Sequence, residues 1–314
     1  MTRHRRVRII AAAGALAVLA GCGSSSHDKP TPKANSAQLT PAPTPASTTP
    51  TIPAAPTTPA CPQVAPGFDC TMQQRIAAVR DWIRQRPGIV GVVLRDRQTG
   101  AVWRNENADT LIWTGSTIKL AMIIDLYTRD HAGAIHLTAD DREQIHQMLH
   151  VSSDNAADAM WKKYGRDDFA TRFARYGLTG ATFIRGFSRY WGFMKCTAND
   201  LDRMINYVLG QLPAADRAYI VDQLQHVWTN QQWGVWGAGP QNQPGNKDGW
   251  SLEQGGWETN SVGFAGPNQR YTLAIMNNLA GKGGYHEGVN TDTQIAALLF
   301  QGHQIATPTT QPSP

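Results

Sequence analysis

The chain has 314 residues, of which 41% are hydrophobic and 17% charged, and its formal charge is +5 at pH 7. Of its 29 lysines and arginines, Arg3, Arg5, Arg6 and Arg8 crowd one end and leave 25 against 24 acidic residues. A domain so close to neutral is excluded as an electrostatic binder of nucleic acid.

Residues 1–22 read as an export signal. The four arginines precede an apolar run, Ile9 to Ala20, that is too short for a good membrane span. The run ends Leu19-Ala20-Gly21-Cys22, which resembles the lipobox of bacterial lipoproteins. That resemblance implies acylation of Cys22 and a lipid tether on the extracytoplasmic face of the cell membrane. Residues 23–69 form a linker. Its first part, to residue 60, holds nine prolines and eight threonines and has little to bury. A globular domain is expected over residues 70–303, long enough for one good core. Residues 304–314 read as a disordered tail. Cys61 and Cys70 bracket a short turn-rich loop. Export permits a disulfide, with Cys61–Cys70 the first choice and Cys70–Cys196 the rival.

Within the domain, Met72, Ile76, Val79 and Ile83 predict a helix over residues 71–86, which Pro87-Gly88 ends. Ile89 to Leu94 is a buried strand, and Ala101 to Trp103 begins the returning strand after a turn. Helices are expected from Ser116, over 140–150, from about Ala156, and over 168–176, 199–209 and 291–300. Late strands fall at 262–265 and 271–276. Helix, strands, a helical middle, strands and a last helix define an α+β plan.

The stretch Thr114-Gly115-Ser116-Thr117-Ile118-Lys119 carries the chemistry. Ser116 and Lys119 are three apart and share a helix face. A serine needs a base, and a lysine serves when burial lowers its pKa. The apolar residues that follow Lys119 predict that it is buried. Two short motifs come later, Ser153-Asp154-Asn155 and Lys247-Asp248-Gly249. Lys282-Gly283-Gly284 also fits the second pattern but follows a strand, so it ranks as a decoy.

Ser-x-x-Lys, Ser-Asp-Asn and Lys-x-Gly, in that order, resemble the active-site serine β-lactamases and penicillin-binding proteins over about residues 89–300. The resemblance implies an antiparallel sheet flanked by helices with a reduced helical lobe, no cofactor and no metal. It implies a cell-wall peptide or a β-lactam-like small molecule as substrate of a monomeric hydrolase. Ser116 would be acylated and Lys119 would take its proton. Ser153 would relay a proton to the leaving group, and Asn155 would hold Lys119 and the substrate. Lys247 would supply positive field, with Asp248 and Gly249 beside the substrate. The amides of Ser116 and Trp250 would form the oxyanion hole.

The match departs in three places. Ser116 and Ser153 lie closer together than is usual for the family. No glutamate occurs between Glu143 and Glu253, so the class A route to deacylation is missing. Asp248 replaces a hydroxyl residue, and at about 4 Å would repel a substrate carboxylate by about 4 kcal/mol. The alternative reading is a catalytically weak lipoprotein that binds wall fragments or a protein partner, with Trp228, Trp233, Trp236, Trp250 and Trp257 divided between stacking surface and core. His146 and His150 lack the metalloprotease pattern and read as a solvated helix face. Arg172 and Arg175 read as surface charges.

Overall fold

A computed structural model describes residues 61–303. The export signal, Cys22, the linker up to residue 60 and the tail 304–314 lie outside the described residues.

Helix α1 (Cys70–Arg84) forms where Met72, Ile76, Val79 and Ile83 recur at helical spacing, and all four are buried. Asp69 caps it, accepting from the Met72 amide at 2.8 Å. Gly88 then turns the chain at φ +80°, where a Cβ would stand 2.0 Å from the Asn278 carbonyl oxygen. The chain enters β1 (Ile89–Asp96), returns as β2 (Val102–Arg104), and reaches a short strand β3 (Ile112–Trp113). A 3-10 turn, Gly115–Thr117, runs directly into α2 (Ile118–His131). The helical middle follows as α3 (Ala139–His150), α4 (Asp154–Tyr164) and α5 (Asp168–Phe173). Two short strands, β4 (Thr182–Phe183) and β5 (Met194–Cys196), precede α6 (Ala198–Gln211) and α7 (Ala214–Gln225). After 3-10 turns at Thr229–Gln231 and Gly234–Ala238 come β6 (Gly245–Glu253), β7 (Gly256–Ala265), β8 (Tyr271–Asn278) and α8 (Tyr285–Phe300).

The large sheet has the order β2-β1-β8-β7-β6, with every pairing antiparallel. A small sheet, β3-β5-β4, stands apart from it. Both faces of the large sheet are covered. Val92, Leu94 and Ile275 pack with Met72, Ile76, Leu299 and Phe300 of α1 and α8. Val93, Val262 and Ala274 pack with the helical middle. Alternation along each strand therefore sends neighbouring residues to different cores. The architecture is α+β, an antiparallel sheet flanked by helices.

Several local expectations need revision. Residues 61–69, read as linker, lie against the domain, with Ala65 and Phe68 buried in the α1 core. The thiols of Cys61 and Cys70 are in hydrogen-bonding contact as free cysteines, and that contact pushes the Cys61 thiol up to about 11. Cys196 is instead buried against the sulfur of Met276 at 3.7 Å. Arg172 is no plain surface charge: it donates to the buried Asp125 at 2.6 and 2.9 Å, beside the Tyr176 hydroxyl at 2.8 Å. Arg175 is exposed as expected. The last helix starts six residues earlier than its apolar spacing suggests, at Tyr285. Lys282-Gly283-Gly284 is the connection into it, away from any strand start.

Glu258 of β7 is fully buried, and neither carboxylate oxygen has a hydrogen-bond partner. Burial pushes its carboxyl up to about 8. A carboxyl whose folded pKa is raised favours the fold below its ordinary range and loses that contribution as pH climbs through the folded value. Glu258→Gln should therefore flatten the fall in thermal midpoint between pH 5 and pH 8.5. Two parallel melting curves against pH, wild type and variant, would refute this.

Candidate active site

Two glycines bring the site together. Gly115, at φ +49°, would place a Cβ 2.7 Å from the Trp250 amide nitrogen. A Cβ on Gly249 would stand 2.7 Å from each of Ser116 N, Thr114 O and Thr117 N. Only without side chains at both positions can the turn carrying Ser116 lie directly on edge strand β6. Asn260 of β7 fastens it there, donating to Trp113 O at 2.8 Å and Thr114 O at 3.2 Å. The amides of Ser116 and Trp250, expected as the oxyanion hole, are thus neighbours.

Lys119 follows Ser116 by one turn and is fully buried. Its Nζ donates to Ser152 O at 2.6 Å and to Asp154 Oδ1 at 2.6 Å, with Ser152 Oγ at 3.4 Å. Among the described residues it makes no hydrogen bond to Ser116. Burial lowers its pKa, against the opposing charge of Asp154. The Trp191 ring centroid lies 4.8 Å from the same amine. Trp191 is held by its indole N–H, which donates to Asp158 at 3.0 Å.

Lys247 reaches the same point from the sheet. Its Nζ donates to Ser152 Oγ at 2.8 Å, to Asp248 O at 2.9 Å and to the Gln231 side-chain oxygen. Burial, reinforced by the charge of Lys119, pushes this amine well below its usual range. Ser152 Oγ therefore stands between the two amines. Ser152 itself has φ +60°, an uncommon conformation for a residue with a Cβ, held by the bonds to its carbonyl and hydroxyl.

The second motif is displaced by one residue from its expected register. The hydroxyl between the lysines belongs to Ser152, not Ser153. Ser153 caps α4, accepting from the Ala156 amide at 3.2 Å. The group on Lys119 belongs to Asp154, not Asn155, which is exposed in the first turn of α4. Asp248 does not face a ligand either. It sits on the opposite face of β6, fully buried, bonded by Asn246 Nδ2 at 2.6 Å, with its second oxygen unpaired. Burial raises its carboxyl well above the usual range, and its place on the far face of β6 keeps it from a ligand. A second buried carboxyl, Asp292 of α8, shares that environment and is raised likewise.

Gln231 carried no sequence signal for this role. Its side-chain amide donates to Leu149 O at 2.7 Å and His150 O at 3.0 Å while its oxygen receives Lys247. Trp233, Trp250, Trp257 and Tyr285 form a chain of ring contacts at 5.5–6.4 Å beside β6. Trp233 is buried, Trp236, Trp250 and Trp257 are half-buried and Trp228 is 57% exposed, the mixture expected. His146 and His150 stack on each other, and no group of three potential metal ligands occurs among the described residues.

This arrangement sits on a fold of class A β-lactamase type. A β-lactamase from Xanthomonas campestris pv. campestris superposes with a TM-score of 0.61 at 18% identity, covering 73% of this chain and 97% of that one. A β-lactamase from Burkholderia vietnamiensis gives 0.61 at 19%, covering 72% and 95%. A reconstructed ancestral class A β-lactamase gives 0.61 at 17%, covering 72% and 98%. In sequence the chain is 30% identical over 213 residues, 64% of its length, to the "Putative lipoprotein LppW" of Mycobacterium tuberculosis and of Mycobacterium bovis, covering 67% of each. The chain belongs to the family of these LppW proteins. No family model matches it.

The glycine contact is directly testable. Gly249→Val puts branched carbon against three backbone atoms and should destabilise the domain by about 1–3 kcal/mol. Chemical denaturation measures this, and a variant as stable as wild type would show that the turn carrying Ser116 is free to move off β6.

Proposed function

We propose that the protein is a lipid-anchored serine acyl hydrolase of the cell envelope, acting through an acyl-serine intermediate. Supporting the anchor are the Leu-Ala-Gly-Cys22 sequence and the lipoprotein name of its relatives. No helix of the described residues is long and apolar enough to cross a membrane. The observation that carries the catalytic reading is Ser152 Oγ, in reach of Lys247 Nζ at 2.8 Å and of Lys119 Nζ at 3.4 Å, with Lys119 one helical turn after Ser116, whose turn lies on the Gly249-Trp250 backbone.

A neutral Lys119 keeps two N–H donors, which Ser152 O and Asp154 occupy, and leaves its lone pair for the Ser116 hydroxyl. Ser116 Oγ bonds to the substrate carbonyl carbon and its proton passes to Lys119. The amides of Ser116 and Trp250 receive the developing oxyanion. As the intermediate collapses, the leaving nitrogen or oxygen takes the proton of Ser152, which Lys119 replaces. Water then releases the acid and restores Ser116. No glutamate lies between Glu143 and Glu253 to activate that water, so this last step is the slow one.

A second reading, a non-catalytic binder of wall fragments or of a protein partner, is favoured by one observation. Lys119 is tied to Asp154 at 2.6 Å, and an aspartate tends to keep a lysine protonated. Labelling with a fluorophosphonate and a fluorescent penicillin separates the two. Serine-dependent adducts, lost in Ser116→Ala, are expected. Absence of any adduct, with wall material retained by both forms, decides for the binder.

The displaced register gives a sharper check. Ser152→Ala should slow acylation by about 10²-fold or more. Ser153→Ala should cost about 1 kcal/mol of stability while acylation persists. Rates of fluorophosphonate labelling and melting curves measure both, and the opposite assignment of the two effects would remove Ser152 from the mechanism.

A further inference from the structure

The proposed hydrolase site has an amine that no ligand can reach. Lys247 is fully buried, and even as an ammonium it has only three N–H groups. Ser152 Oγ, Asp248 O and the Gln231 side-chain oxygen take all three. Gln231 is itself fully buried and cannot swing aside freely, because its amide is fastened to Leu149 O and His150 O. Its backbone carbonyl accepts from Asn246 at 3.0 Å, so both ends of the residue are tied. The flanking Asn230 side chain donates to Val151 O at 2.9 Å and Trp228 N to His150 O at 2.9 Å. The segment 228–232 is thus laced across the connection between α3 and α4, directly over the amine.

Asp248, next on the strand, offers a carboxylate ligand no help, being buried on the opposite face. The aromatic rings beside β6, Trp250 in contact with Tyr285 and Tyr285 with Trp257, lie by alternation on the Asp248 side of the strand, away from the Lys247 face. These rings present apolar area and no positive charge.

Resting on the acyl-serine reading, we infer that Gln231 is a specificity-determining residue that occupies the position of an anionic substrate group, so that the enzyme takes acyl donors uncharged on the side facing Lys247. A carboxylate placed there would lose its hydration and gain no open donor in return. An uncharged acyl chain would need no such donor.

The test uses two esters of equal chain length with the same chromophore, para-nitrophenyl hexanoate and the mono-para-nitrophenyl ester of adipic acid. The Ser116→Ala rate is subtracted from each. Wild type should favour the uncharged ester by about tenfold or more in kcat/KM. Gln231→Ala should narrow that ratio by about tenfold, through a fall in KM for the adipate ester with little change in kcat. Equal or better turnover of the adipate ester by wild type overturns the inference and leaves the acyl-serine reading standing. So does an unchanged ratio in a Gln231→Ala protein with a native circular dichroism spectrum. The wild-type comparison alone decides should that variant not fold. Failure of both esters, with no fluorophosphonate adduct on Ser116, overturns the acyl-serine reading and this inference together.

Discussion

Two amines buried around one hydroxyl set the terms for the rest of the structure. Lys119 and Lys247 both approach Ser152 Oγ, so their nitrogens are no more than about 6 Å apart. Two positive charges at that separation repel by about 3 kcal/mol at an effective dielectric of 20, before any cost of burial is counted. That is about the free energy of a two-unit pKa shift, so the pair sheds a proton more readily than either lysine alone. Asp154, Ser152 O, Asp248 O and Gln231 surround the amines with oxygen and make the burial tolerable. The same oxygens fix where each lone pair points when one amine is neutral.

The sheet protects this electrostatic arrangement by simple alternation. Lys247 points to the helical side of β6, opposite Val262, and Asp248 to the α8 side, opposite Ser261. A charged aspartate adjacent to Lys247 would cancel its field. On the far face, however, Asp248 shares burial with Asp292, and both carboxyls are driven toward their neutral forms. One residue of strand thus separates a site that needs charge from a core that excludes it.

The fold was legible wherever apolar residues kept a period. α1, β1, β8 and α6 could be placed from sequence because each buries a regular face. β6 was not recognised as a strand, because Gly-Asn-Lys-Asp-Gly reads as turn chemistry. It is an edge strand whose polar side chains find partners in distant segments, which no local pattern records. The residues gathered at the candidate site were legible to within one residue. In Ser152-Ser153-Asp154-Asn155 two registers are open, and the familiar triplet begins at Ser153. The chain takes the other because Ser153 is a good helix cap and Asp154 then sits in the first turn of α4, where a carboxylate suits the helix dipole. Gln231 was invisible, since a glutamine in a Gly- and Trp-rich stretch acquires meaning only from Lys247, sixteen residues on.

The departures from the β-lactamase pattern have a common direction. No glutamate lies between Glu143 and Glu253, the Trp191 ring lies against Lys119, and the amine of Lys247 is closed off by Gln231. On the proposed acyl-serine route these changes bear on steps after or around acylation, while the serine turn, its glycine contact and the two amines stay assembled. A binding protein on this fold would have no use for that assembly. Apolar side chains at Lys119 and Lys247 would spare it two desolvated amines, and replacing buried charges by well-packed hydrophobes is often neutral or stabilising. Lysines held fully buried on opposite sides of a strained serine are therefore better explained by proton transfer than by packing, and this cost weighs against the binding-only alternative.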